Sequence, residues 1–187
     1  MGTIAAYLLM SLDGVVESPD RFVREDQFDD VVDVLSETIA DQDAILLGRA
    51  MFEEWSQFWP GSDMEPFAPF INGHPKYVVS HTLDSVDSWD NSILLGEPLA
   101  DRVADLKAQP GGTIGVHGSI SLVNALLADG LLDELRLLVF PALAGSGCRL
   151  FEGGDAPVPL ELKRSKTTPL GLNHLVFDCP TRSAGSH

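Results

Sequence analysis

The chain has 187 residues and a formal net charge of −16, with 12 Lys and Arg against 28 Asp and Glu. Hydrophobic residues make up 44% and charged residues 21%, which predicts one globular domain with a buried core and excludes a disordered or fibrous chain. Because an acidic surface repels phosphate backbones and anionic lipids, we expect neither nucleic acids nor membranes as partners.

The first half of the sequence alternates short apolar runs with amphipathic segments. An apolar run over 4–10 predicts a buried strand, and apolar residues three and four positions apart over 26–40 predict a helix with its acidic residues in solvent. A second buried strand is predicted over 44–48 and a short helix over 49–55. Residues 57–75 contain four prolines and two glycines, which predicts a loop.

The second half continues the alternation and then changes character. Its predicted elements are a strand over 76–80, a strand over 92–95, a helix with Leu99, Val103 and Leu106 on one face, a strand over 113–116, a helix over 119–128, a strand over 133–140, and two terminal strands over 160–167 and 173–178. The alternating part favours a largely parallel sheet covered on both faces, and the terminal pair adds an antiparallel edge. We predict a three-layer α/β/α sandwich, with a single domain over 1–180 and a flexible C-terminal tail over 181–187.

The cysteines and the N-terminus indicate the compartment. Cys148 and Cys179 are the two cysteines and form no Cys-x-x-Cys motif, which fits a reducing environment. The first residues lack the positive region of a signal peptide, and no apolar run approaches the ~20 residues that span a bilayer. The five histidines do not pair at ligand spacing, so we predict a cytoplasmic protein without a metal site.

Three strand ends carry glycine, and in a parallel sheet such ends meet at the edge where ligands bind. At Gly48 and Arg49, the glycine lets a ligand approach the backbone and the arginine supplies a fork-shaped cation at a helix start. Gly118 precedes a second helix start that carries two hydroxyls. The third glycine-bearing segment, 145–147, has no predicted helix behind it. Two turns that could each bind a phosphate favour a nucleotide as the ligand. At each turn, the alternative is that the glycine only shapes the backbone.

Other motifs narrow the chemistry. The sequence has no P-loop, and residues 118–122 lack the second glycine of a nucleophile elbow. Asp13 follows the first strand and points to the same sheet edge; the alternative is that it ties its own loop in an Asx-turn. The aspartates between 26 and 33 either form the solvent-exposed face of the predicted helix or include a catalytic acid. The basic residues between 163 and 166 protect an edge strand or clamp an anionic substrate.

An ordered set of short motifs runs from Ile4 to Asp178. In chain order they are Ser11-Leu12-Asp13-Gly14, Leu46-Leu47-Gly48-Arg49 with Glu53, Val78-Val79-Ser80, Val116-His117-Gly118-Ser119, Asp133-Glu134-Leu135, Pro141, Gly145-Ser146-Gly147 and Leu150-Phe151. This set resembles the dihydrofolate reductase-like family, and within it the reductase domain of the bacterial riboflavin-biosynthesis deaminase-reductase. His117 stands where classical dihydrofolate reductases carry the first of two glycines, which points to the riboflavin-type relatives. Because no deaminase zinc signature is present, the resemblance implies a stand-alone reductase.

The resemblance implies that NADPH binds across the sheet edge. It implies contacts from Ala6 to the nicotinamide region, from Gly48 and Arg49 to the adenosine-side phosphates, from Ser80 and His81 to the adenosine, and from Val116, Gly118, Ser119, Ile120 and Ser121 to the pyrophosphate. Arg49 would favour NADPH over NADH, since a guanidinium matches a 2′-phosphate. Asp13 is our candidate catalytic residue, orienting substrate hydroxyls.

The implied activity resembles that of 5-amino-6-(5-phosphoribosylamino)uracil reductase. A hydride would pass from NADPH to a C=N or C=O of a pyrimidine-riboside or pteridine-like substrate, with a proton from water or a carboxylate. Two alternatives stay open: dihydrofolate reduction, for which Asp29, Asp30 and Asp33 all lie near the expected acid, and a nucleotide- or antifolate-binding protein with little turnover. The resemblance also implies a homodimer.

Overall fold

A computed structural model of the protein describes residues 2–96, 98–152 and 157–180. In chain order the strands and helices are β1 (Thr3–Ser11), α1 (Phe28–Ile39), β2 (Gln42–Gly48), α2 (Arg49–Phe58), α3 (Phe67–Gly73), β3 (Lys76–Val79), β4 (Ser92–Leu95), α4 (Leu99–Ala108), β5 (Thr113–His117), α5 (Ile120–Ala128), β6 (Glu134–Phe140), β7 (Glu161–Thr167) and β8 (Asn173–Asp178). The tail predicted over 181–187 lies outside the described residues.

The eight strands form a single sheet in the order β4-β3-β2-β5-β1-β6-β8-β7. The strands from β4 to β6 are parallel to one another. β8 pairs antiparallel with both β6 and β7, which makes β7 an edge strand. The predicted mostly parallel sheet with an antiparallel C-terminal edge is therefore confirmed.

Helices cover both faces of this sheet and bury its apolar side chains. α4 and α5 cover one face, where Val103 and Val123 pack in one cluster with Ala6 of β1. α2 and α3 pack on the opposite face against β2, and α1 packs beside them against Tyr7. This arrangement is the predicted three-layer sandwich. Among the described residues, none of the helices is both long and apolar enough to cross a membrane.

The prediction of a loop over 57–75 was wrong in part, because this segment contains α3. Phe67, Ala68, Phe70 and Ile71 of this helix are buried. Pro66 lies at the N-cap and Pro69 in the first turn, where a missing backbone N–H breaks no intrahelical hydrogen bond. Proline density alone therefore gave the wrong prediction, since each of these two prolines occupies a position that a helix tolerates.

The carboxyl ends of the parallel strands form a stepped edge. Tyr7 of β1 pairs with His117, the last residue of β5, whereas β1 continues to Ser11, which pairs with Phe140 at the end of β6. β1 and β6 thus rise beyond β5 by four residues, about 13 Å at the rise of a strand. The step separates a low side formed by β2, β3 and β5 from a wall formed by β1 and β6.

Candidate functional site

The low side of the edge brings the predicted cofactor residues together. Ala6 pairs with Val116 in the register of β1 and β5, and Val116 pairs with Leu46 of β2. Gly48 follows two residues after Leu46 and pairs with Val79 of β3. Ala6 and Val116 are fully buried, so they fix the floor beneath the junctions and their side chains belong to the core.

The two glycine junctions are joined by a hydrogen bond. The backbone N–H of Gly48 donates to the hydroxyl of Ser119 over 3.1 Å, and Ser119 is itself buried. A methyl group placed on Gly48 would meet the Ser119 Oγ at 3.7 Å and the Leu122 Cβ at 3.8 Å, which are ordinary contacts. The fold therefore does not require glycine at position 48. A ligand that approaches the backbone at this position would require it.

Gly118 is glycine for a structural reason. Its φ is +68°, in the left-handed region that favours glycine, and an added Cβ would lie 3.0 Å from the Met51 Cε and 3.2 Å from the Trp55 Cζ2. The start of α2 thus packs over the turn before α5. In the first turn of α5, Ile120 is half-buried and Ser121 is exposed, so this turn presents Ser121 to solvent.

Arg49 is the first residue of α2 and is exposed. Its Nη1 contacts the Oε2 of Glu53 at 2.9 Å, with about half of each side chain in solvent (51% and 46%). The first turn of α2 contains no acidic residue, although carboxylates are favoured and cations disfavoured at a helix N-terminus. The guanidinium therefore lies at the positive end of α2, and the carboxylate of Glu53 offsets part of its charge.

Ser80 and His81 follow β3 at the same edge. Ser80 is buried, and its hydroxyl accepts hydrogen bonds from the backbone N–H groups of Thr82 (3.1 Å) and Leu83 (3.0 Å). This hydroxyl therefore shapes the turn. His81 is exposed and lies next to that turn.

Asp13 joins the two loops of the wall. Its Oδ1 accepts hydrogen bonds from the Ser11 hydroxyl (2.6 Å) and the Ala144 N–H (2.9 Å), and its Oδ2 accepts one from the Gly145 N–H (2.9 Å). These hydrogen bonds, led by that from Ser11, hold the pKa of Asp13 well below its usual range. The carboxylate is therefore an anion that ties the loop after β1 to the loop after β6.

The glycine-bearing segment 145–147 is anchored from several sides. Besides the bond to Asp13, the Ser146 carbonyl accepts a 3.0 Å hydrogen bond from Arg21, and the Cys148 N–H donates to Glu17 over 2.9 Å. These bonds hold the segment against the loop after β1. Both cysteines of the chain are free thiols, with Cys148 exposed and Cys179 buried.

The candidate acids on α1 differ in environment. Asp29 and Asp33 are exposed, as predicted for a solvated helix face. Asp30 is buried, contrary to that prediction, because its carboxylate accepts a 2.9 Å hydrogen bond from the Leu170 N–H in the turn before β8. This contact gives Asp30 a structural role.

The basic residues between 163 and 166 lie on β7, which is exposed along its whole length. Lys163 pairs with Glu134 (2.6 Å) and Asp178 (3.2 Å), and Lys166 pairs with Glu37. β7 lies three strands from β1 in the sheet. This position favours a charged edge strand over a substrate clamp.

A cavity of about 200 Å³ opens at the opposite, amino-terminal edge of the sheet, where its lining includes Asp43, Tyr77, Leu106 and Gly111. Neither glycine junction nor Arg49 lines it, so the cavity is separate from the candidate site at the carboxyl edge. In the part of the chain that the structure describes, no group of three His, Cys, Asp or Glu side chains could hold a metal ion.

The family model of the RibD C-terminal domain matches residues 3–173. The chain belongs to this family. The chain is also 29% identical over 139 residues to YyaP of Bacillus subtilis (strain 168), an uncharacterized protein, and the match covers 72% of this chain and 73% of that protein.

Two solved structures show the same fold as this RibD C-terminal domain. A protein from Shewanella sp. PV-4, provisionally named as a riboflavin biosynthesis protein, has a TM-score of 0.72 at 22% identity and covers 95% of this chain and 98% of its own. Dihydrofolate reductase from Enterococcus faecalis, complexed with NADP(H) and RAB-propyl, has a TM-score of 0.63 at 13% identity, covering 95% and 96%. The dihydrofolate reductase-like fold is thereby confirmed.

The structure also places His117 in a buried polar cluster with Gln42 and Tyr7, two residues that the sequence motifs did not include. The His117 Nε2 lies 2.7 Å from the Gln42 Oε1, and burial, followed by the charge of Arg136, lowers the pKa of His117 to about 3. Tyr7 packs 6.0 Å from the His117 ring, and its hydroxyl is buried without a hydrogen-bond partner among the described residues. Tyr7, a tyrosine within the apolar run of β1, was the available signal in the sequence.

Proposed function

We propose that the protein is an NADPH-dependent oxidoreductase of the riboflavin-biosynthesis type. It would transfer a hydride to a pyrimidine-riboside or pteridine-like substrate. The observation that carries this proposal is Arg49, a cation exposed at the positive end of α2 in a chain of net charge −16. An anionic ligand makes this arrangement favourable, because it is attracted by both the guanidinium and the helix N-terminus. Family membership and the fold shared with an NADP(H) complex support the same reading.

The chain's residues fit such a cofactor at the low side of the edge. Gly48 would let the adenosine-side phosphates approach the backbone, Arg49 would bind the 2′-phosphate, and Ser121 in the first turn of α5 would face the pyrophosphate. Ser80 and His81 would flank the adenosine, and Ser119 would hold the two junctions at a fixed separation through its bond to Gly48. Ala6 and Val116 would form the floor below the nicotinamide.

When bound, NADPH supplies the hydride, and the protein supplies binding, orientation and shelter from water. Asp13 would orient substrate hydroxyls through the two loops it holds together. Since its pKa is held below the usual range, Asp13 stays ionised and is not the proton donor. With Asp30 bound to the Leu170 N–H, we propose that water delivers the proton.

A nucleotide- or antifolate-binding protein with little turnover is the second candidate. The observation that favours it is that the carboxylates of Asp13 and Asp30 are both engaged by backbone N–H groups. Dihydrofolate reduction is a further candidate within the reductase class. Incubation with NADPH and either dihydrofolate or a ribosylaminopyrimidine, followed by the absorbance of the reduced nicotinamide, separates the three candidates.

The cofactor assignment is tested by titrating the protein with NADPH and NADH and following tryptophan fluorescence, because Trp55 packs against the Gly118 turn. We expect quenching by NADPH at lower concentration than by NADH. The Arg49→Ala variant should weaken NADPH binding much more than NADH binding. An equal loss for the two cofactors would contradict the role of Arg49, and no binding of either would contradict the proposed function.

We also propose that the protein is a cytoplasmic homodimer, as the resemblance implies. The two free thiols are compatible with a reducing compartment. Light scattering coupled to size-exclusion chromatography measures the mass in solution, and a monomeric mass across the concentration range would contradict the dimer.

A further inference from the structure

The ion pair between Arg49 and Glu53 joins the proposed phosphate-binding residue to a carboxylate one turn further along α2. The 2.9 Å contact uses Nη1 of the guanidinium and Oε2 of the carboxylate. The two residues are four positions apart, so helix geometry keeps them on the same face. Any anion that binds Arg49 must therefore share the guanidinium with Glu53 or displace it.

We infer that Glu53 is a specificity-determining residue that limits the preference of Arg49 for a 2′-phosphorylated cofactor. This inference rests on the proposed function. A 2′-phosphate next to Arg49 would lie within a few ångströms of the Glu53 carboxylate, and the two negative charges repel each other. A cofactor with a free 2′-hydroxyl carries no charge there, and a carboxylate can accept a hydrogen bond from such a hydroxyl. Glu53 thus opposes the binding of NADPH and does not oppose the binding of NADH.

The position of Arg49 explains why a carboxylate at residue 53 matters. A cation at the N-terminus of a helix is unfavourable, and no acidic residue in the first turn of α2 offsets it. The carboxylate of Glu53 is the group that contacts Arg49. It offsets the unfavourable charge in the free protein and competes with the ligand in the complex.

Glu54 provides a matched control. It is also exposed on α2, and Glu54→Gln removes the same charge one residue away, where the side chain points about 100° around the helix axis. Glu54→Gln leaves the contact between Arg49 and Glu53 in place, so it measures the effect of net charge without that of the shared guanidinium. Glutamine and glutamate have similar helix propensities, so both variants should fold.

The experiment measures the dissociation constants of NADPH and NADH for the wild type, Glu53→Gln and Glu54→Gln by fluorescence titration at low ionic strength. We expect Glu53→Gln to lower the dissociation constant of NADPH about threefold, as for loss of a competing surface charge. The constant for NADH should be unchanged or slightly raised. Glu54→Gln should lower the dissociation constant of NADPH clearly less than Glu53→Gln does, and added salt should shrink the difference between the variants.

A second arm tests whether Glu53 acts through Arg49. In an Arg49→Ala background, Glu53→Gln should improve NADPH binding clearly less than it does in the wild type, because the shared guanidinium is gone. Equal effects of Glu53→Gln and Glu54→Gln, or weaker NADPH binding by Glu53→Gln, would overturn the inference while leaving the proposed function intact. A wild-type protein that binds neither cofactor would overturn the proposed function and this inference with it.

Discussion

The backbone N–H of Gly48 donates its hydrogen bond to the side chain of Ser119, a residue 71 positions later in the chain. The bond fixes the spacing between the start of α2 and the start of α5, the two turns to which we assign the cofactor phosphates. Ser119 is buried, so this hydroxyl is a structural acceptor.

Replacing Ser119 by alanine removes that acceptor. We expect Ser119→Ala to lower the free energy of unfolding by about 1–3 kcal/mol, since a backbone donor that is poorly exposed loses its partner. NADPH binding should weaken as well, because the two turns are no longer held together. Urea denaturation and fluorescence titration measure the two effects. Ser121→Ala, on the exposed side of the same turn, is the control for stability and should leave the unfolding midpoint unchanged.

The glycines of the two turns should respond differently to a methyl group. Gly118→Ala forces a left-handed φ on an alanine and crowds Met51 and Trp55, so we expect a loss of about 1–2 kcal/mol in the free energy of unfolding. Gly48→Ala meets only ordinary contacts and should unfold with the wild-type midpoint. Its NADPH binding should nevertheless fall, because the methyl group occupies the space beside the backbone. Unchanged binding by Gly48→Ala would mean that no ligand approaches there.

Replacing Asp13 should change the stability of the two loops that it joins, and the ionisation of Asp13 should not appear in the pH dependence of the rate. Its pKa is lowered, so the stability it contributes is present above the unfolded pKa and is lost only as the pH falls below it. We expect no ionisation of Asp13 in the rate profile between about pH 5 and 8. Asp13→Ala should increase amide hydrogen exchange at Ala144 and Gly145 and raise KM for the substrate. A loss of kcat with unchanged exchange would instead indicate direct chemistry.

Two buried histidines should make the protein sensitive to mild acid. Burial lowers the pKa of His174 from 6.5 to about 4 and, with Arg136, that of His117 to about 3. The unfolded chain therefore binds protons first, so stability is complete above the unfolded pKa and falls as the pH drops below it. Between the unfolded and the folded pKa, each histidine should add up to ~1.4 kcal/mol per pH unit to the slope of the unfolding free energy against pH.

His174 offers the cleaner variant for this test, because both of its ring nitrogens are buried without a partner among the described residues. His174→Leu should flatten the dependence of unfolding free energy on pH between about 6 and 4, as measured by urea denaturation across that range. A slope that His174→Leu does not change would assign the acid sensitivity to other groups.

The sequence predicted those parts of the molecule that depend on local pattern. Each of the eight strands that the structure describes lies where a strand was predicted, and the glycines at 48 and 118 marked the strand ends that lie next to each other in the sheet. The contacts of Asp13 could not be predicted in the same way, since Ala144 is 131 positions away and only the pairing of β1 with β6 brings it close. The same holds for Asp30, whose burial depends on a turn 140 positions later.

The tie through Asp13 has a consequence for how this scaffold can be altered. The loops after β1 and β6 form the wall of the step, and a change in the length of one shifts the backbone N–H groups that the other must meet. Loop grafting or recombination between relatives should therefore preserve folding only when both loops come from the same parent. Exchanging the loop after β6 alone should yield poorly expressed chimeras, whereas exchanging the pair should transfer substrate preference as a unit.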